Sequence, residues 1–110
     1  MMKMLFTFDM AAVIQAGYTL EQVYNHLKEK FAERNLVCIS DDADSLIFAG
    51  TGNGNDLSRM LIMMGKLENQ EWFMKIAASW LFTTDERRGW EDVLGYYKTK
   101  QSHSQGLVVV

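Results

Sequence analysis

The chain alternates between short apolar runs and longer amphipathic stretches, and the period of each stretch predicts its element. Lys3–Phe8 is aromatic and partly alternating, which predicts a strand. Asp9 is placed to cap a short helix through Met10, Val13 and Ile14 that Gly17 ends. Thr19 followed by Gln22 forms a capping box, with Tyr18 and Val23 spaced as a hydrophobic staple. Leu20, Val23, Tyr24, Leu27 and Phe31 then recur at helical spacing, and Asn35 is suited to a left-handed stop. Leu36–Ser40 and Leu46–Ala49 predict two strands joined by the polar turn Asp41–Ser45. After Gly50, Gly52 and Gly54, Asn55 or Asp56 can cap a second long helix. Its inward stripe is expected to be Leu57, Met60, Leu61, Met64 and Leu67, with Met63 at the margin and Ile62 facing away.

The segment 72–82 satisfies two periods at once. As a strand it aligns Trp72, Met74, Ile76, Ala78, Trp80 and Phe82 on one face. As a helix it aligns Phe73, Ile76, Ala77, Trp80 and Leu81. The order β-α-β-β-α before it wants one more strand, so strand is the expectation. Thr83 or Asp85 would cap a last helix carrying Trp90, Val93, Leu94 and Tyr97. The fold class that results is α+β: a two-layer ferredoxin-like sandwich, β-α-β-β-α-β, with an added C-terminal helix. Residues 1–100 form the single domain, and 101–110 a polar then apolar tail.

Composition narrows the function classes. With 14 acidic against 11 basic residues and a net charge of −3, the chain lacks the clustered cations that hold phosphates, so nucleic acid is not the expected partner. A single cysteine, Cys38, allows no internal disulfide and fits a reducing compartment. Met1–Met10 is too short and too interrupted for a secretory signal, and no run is long enough to span a membrane, so the expected location is cytoplasmic.

Chemistry-bearing patterns are few. Gly50–Asn55 sits where a dinucleotide loop would, but Asn55 stands at the third glycine and Asp56 puts negative charge where a phosphate belongs. Asp42 and Asp44 have the spacing of the first calcium-loop ligands, yet Leu46 and Ile47 follow where an oxygen ligand and a glycine are required. Neither the Gly-x-Ser-x-Gly nor the His-Glu-x-x-His pattern occurs. His26 falls opposite the apolar stripe of its helix, His103 lies in the tail, and Cys38 reads as a small buried hydrophobe. No cofactor, metal or catalytic residue is therefore expected.

Ala11–Lys30, centred on Ala16-Gly17-Tyr18-Thr19-Leu20-Glu21, resembles the turn and second helix of helix-turn-helix DNA-binding proteins. The resemblance covers about a fifth of the chain and implies a DNA-binding regulator as the alternative function. The outer face it would present carries Gln22, Asn25, His26 and Lys30, but also Glu29 and Glu33.

Three Trp, four Tyr, six Phe and eight Met exceed what one face of a small sandwich readily hides. Hence the leading expectation is a small acidic, non-enzymatic protein-binding module. It would inhibit or regulate by covering a partner surface, in the manner of immunity or mobile-element accessory proteins, and would pair with itself. On the strand reading, 72–82 is a sheet edge with Phe73 and Leu81 flanking Lys75. The expected partner-binding residues are Trp72, Phe73, Leu81 and Ile62.

Overall fold

Local signals build most of the helices. In the computed structural model, which describes the backbone of residues 1–109 and the side chains of 1–101, Lys3–Phe8 is strand β1 and Met10–Gln15 is helix α1. Asp9 caps α1 by accepting from the Ala12 amide, and Gly17 ends it with φ +85°, a conformation costly for any residue with a Cβ. Helix α2, Leu20–Ala32, starts with the reciprocal capping box: Gln22 N donates to Thr19 Oγ1 at 3.1 Å and Thr19 N to Gln22 Oε1 at 2.9 Å. Val23, Tyr24, Leu27 and Phe31 are buried as their spacing requires, and Asn35 takes φ +57° beyond the helix. Strands β2 (Val37–Asp41) and β3 (Leu46–Ala49) follow, and their turn is held by Asp42, whose carboxylate accepts from the Asp44 and Ser45 amides. Then come helices α3 (Asp56–Glu68) and α4 (Glu71–Ile76) and strand β4 (Ala77–Thr83). A 3-10 turn at Glu86–Arg88, the two-residue strand β5 (Glu91–Asp92) and helix α5 (Val93–Val109) complete the chain.

The strands form one antiparallel sheet in the order β2-β3-β1-β4-β5. Met4, Phe6, Leu46, Phe48, Trp80 and Phe82 point from one face into the core, where Val23, Leu27, Phe31, Met60, Met63, Met64, Leu67, Phe73 and Ile76 meet them. Phe6 is the hub: its ring lies within 5.6–6.1 Å of Phe31, Phe48, Phe73 and Trp80. Phe31 stacks on Phe48 at 3.9 Å. Aromatic pairs of these kinds add about 0.5–1.5 kcal/mol each beyond the area they bury.

Several expectations are corrected. Segment 72–82 is not one strand: it is helical to Ile76 and extended from Ala77, so each period is right for its own half. The sheet has five strands rather than four, and β4 is an interior strand flanked by β1 and β5. Leu57 and Leu61 are exposed on α3, while Met63 is buried. Asn55 precedes α3 without a side-chain capping bond. Asp85 caps the 3-10 turn rather than the last helix, and Trp90 lies outside α5. Helix α5 continues through Val109; the side chains past Gln101, His103 and the apolar end Leu107–Val110 among them, and all of Val110 lie outside the described residues.

Tyr24 ties α2 to the β2–β3 turn by donating from its hydroxyl to Asp42 O at 2.8 Å. Burial, then the charges of Asp42 and Asp44, push its phenol above the ordinary value. Tyr24→Phe is expected to cost about 1 kcal/mol at neutral pH. A phenol raised by folding contributes stability that is complete below the free tyrosine value near 10 and is lost as pH climbs through the folded value. Tyr97, also raised by burial, adds to the same decline. Urea midpoints measured upward from about pH 9 should therefore fall less steeply in the Phe variant than in wild type. Parallel slopes would contradict a Tyr24 phenol raised by folding.

Candidate functional site: the open face of the sheet

The core packing described above lies on one side of the sheet. On the opposite face the turn after β4 covers one end, where Ala49 and Thr83 are buried, Glu86 pairs with Lys3 and Thr83 Oγ1 donates to Gly89 O at 2.7 Å. Leu5, Ile47 and Leu81 remain partly exposed there. Register places Leu5 beside Ile47 on β3 and Leu81 on β4, with Ser40 opposite Ile47 on β2 and Asp92 opposite Leu81 on β5. A bulge between Cys38 and Ser40 sets Ile39 at the outer end of the same row. The result is an apolar line, Ile39–Ile47–Leu5–Leu81, crossing four strands. Leu5, Ile47 and Leu81 are half-buried and stand outside the core cluster. Polar groups rim the line. Lys3, ion-paired with Glu86, lies one row to one side; Thr7 and Ser79, joined hydroxyl to hydroxyl at 2.6 Å, lie to the other.

The row ends on β2, whose outer edge has no strand beside it among the described residues. Val37 and Ile39 are exposed there, 49% and 48%. Cys38 alternates to the core side, where its thiol donates to Ser40 O at 3.5 Å and burial pushes its pKa up. Asp41 is held by Lys28 of α2.

The four residues expected at a partner surface do not converge. Phe73 is wholly buried, in edge-on contact with Phe6 and Trp80, and this corrects its expected surface position; helical geometry at 71–76 turns it inward. Trp72 is half-buried on α4, its ring edge-on to Tyr18 at 6.1 Å and His26 at 5.3 Å, with Nε1 donating to Gln70 Oε1 at 3.2 Å. It divides two clefts of about 510 and 490 Å³, the first lined by Gly17, Tyr18, Gln22, Val23 and His26. Ile62 is 42% exposed on α3, beside exposed Leu57 and Leu61. Only Leu81 belongs to the open face. Leu5, Ile39 and Ile47 were missed, although a signal existed: Leu46-Ile47-Phe48-Ala49 is apolar at both parities, as is Met4-Leu5-Phe6, and a strand apolar on both faces calls for cover on both.

The other candidate chemistries resolve into structure. Asp56 is buried and turns back over the glycine loop, accepting from Gly52 N at 2.8 Å and Thr51 Oγ1 at 3.4 Å, so its carboxylate occupies the place of an anion. Asp42 spends its carboxylate on the hairpin turn. His26 packs on Trp72 and Cys38 on Ser40, and the two are not paired. Among the described residues no cluster of three His, Cys, Asp or Glu side chains is arranged for a metal ion, and no helix is long and apolar enough to cross a membrane. In the segment resembling a helix-turn-helix, Lys28 and Lys30 are engaged by Asp41 and Glu33. No protein-family model, curated protein or solved structure matches the chain.

Proposed function

We propose that this chain is a non-enzymatic protein-binding module that inhibits or regulates a partner by covering part of its surface, and that it does so through the open face of the sheet. The observation that carries this reading is the apolar row Ile39–Ile47–Leu5–Leu81, which stands outside the core cluster and keeps part of each side chain exposed. An apolar centre with a polar rim of Lys3, Thr7, Ser79 and Asp92 is the layout of a recognition surface. Completing the burial of each half-covered aliphatic side chain is worth about 1 kcal/mol, enough along the row to hold a polypeptide once ordering costs are met. We read the four strands β2-β3-β1-β4 as a split β-α-β core to which β5 is an addition, and the lone cysteine as suited to the cytoplasm.

Site-specific photo-crosslinking in the native cell tests the reading. A benzophenone side chain at Ile47 should yield one dominant adduct with a defined polypeptide. The same group at exposed Glu29, on the outer side of α2, should yield none above background. Equal, diffuse labelling from both positions would end the proposal.

A further inference from the structure

We infer that two copies of this chain join through their β2 edges, antiparallel about a two-fold axis near Ile39, into one ten-stranded sheet whose apolar rows are continuous across the junction. The inference rests on the reading of the open face as a protein-binding surface, and it names a second copy as an occupant of that surface's outer end. Strand β2 has a free row of backbone donors and acceptors, and the exposed side chains on it are Val37 and Ile39. Of the usual guards of an edge it carries the bulge at Ile39 and a terminal Asp41, but Val37–Asp41 contains no Lys and the chain contains no Pro. A two-fold axis requires a self-complementary patch, because each residue then meets the other copy's counterpart equidistant from the axis.

Charge supplies that complementarity. Arg34 lies five residues before Ile39 and Asp44 five after it, so antiparallel pairing brings each Arg34 to the Asp44 end of the other copy, twice over. Both are available. Among the described residues Lys28 is taken by Asp41 and Lys30 by Glu33, whereas Arg34 and Asp44 enter no ion pair. Parallel pairing, by contrast, would set Arg34 beside Arg34 and the acidic turn beside itself. The bulge at Ile39 confines regular pairing to a short length, so the added apolar contact and the two charge pairs share the work of holding the copies together.

Sedimentation equilibrium on the full chain is the test, with circular dichroism to confirm that each variant is folded. Wild type should be a reversible dimer. Ile39→Arg, at an exposed position, should sediment as a folded monomer. Arg34→Asp should weaken the dimer about tenfold, and Arg34→Asp combined with Asp44→Arg should restore it. In a Cys38→Ser background, Ile39→Cys should form a disulfide-linked dimer on mild oxidation. A wild-type monomer at all concentrations, or a dimer indifferent to Ile39→Arg and to the charge exchange, overturns β2 pairing. Neither result touches the Ile47 crosslink to another polypeptide, whose loss alone would overturn the open-face reading.

Discussion

Trp80→Ala is expected to cost about 3–5 kcal/mol, a large part of the stability of a domain this size. The indole is fully buried at the junction of four elements: stacked on Phe6 of β1 at 6.1 Å, edge-on to Phe73 of α4 at 5.2 Å and tilted against Tyr97 of α5 at 5.4 Å. Removing it opens a cavity that rigid strands on both sides cannot collapse to fill. The same residue contains an opposing term, because its Nε1 is buried without a hydrogen-bond partner among the described residues. An unsatisfied donor costs about 1–3 kcal/mol. Trp80→Phe removes that donor while leaving only a small void, so the two changes offset and the net effect should stay within about 1 kcal/mol. Urea midpoints of both variants check the pair. A Trp80→Phe loss well above about 1 kcal/mol would mean that the indole N–H is satisfied.

Gly50→Ala is expected to cost about 2–4 kcal/mol, and the reason is proximity rather than backbone conformation. A Cβ on Gly50 would lie 2.5 Å from Oδ2 and 2.6 Å from Cγ of Asp56. That carboxylate cannot step aside without abandoning the Gly52 amide and the Thr51 hydroxyl. Gly50 itself donates from its amide to Met2 O at 3.0 Å, so the strain is passed to the β3–β1 pairing that carries Ile47 and Leu5. Asp56→Ala alone should cost about 1–2 kcal/mol through the orphaned amide. The double variant should cost at least about 1 kcal/mol less than the two single losses together, because the clash disappears with the carboxylate. Strict additivity in denaturant unfolding would show that Gly50 and Asp56 do not meet in this way.

Helix α2 was legible in full, because capping box, apolar stripe and left-handed stop are all written within 17 residues. The hairpin at Asp41–Ser45 was legible for the same reason: Asp42 bonds its own neighbours. Helix α3 was legible as a helix but not in its orientation. Leu57, Met60, Leu61, Ile62, Met63 and Met64 place apolar groups around most of its circumference, and only the sheet it packs against selects Met60, Met63, Met64 and Leu67. Segment 71–83 failed as a single element because its two halves obey different periods, and the junction at Ala77 is set by an external contact, Asp9 N donating to Ile76 O at 2.8 Å. Strand β5 had no signal at all. Glu91 and Asp92 are poor strand formers, and they are extended because β4 offers partners at Phe82 and Leu81.

The same division separates the candidate site from its parts. The sequence alone determined that the chain carries an excess of apolar side chains, that no familiar catalytic pattern accompanies them, and that local hydrogen bonds cap its first helices and its hairpin. Tertiary structure decided which apolar groups are the excess. Phe73, expected outside, is drawn in by one helical turn, while Leu5, Ile39 and Ile47 are left out because every described helix settles on the other face. The reason is that periodicity is a property of neighbours along the chain, whereas exposure depends on which of two apolar faces the helices happen to cover.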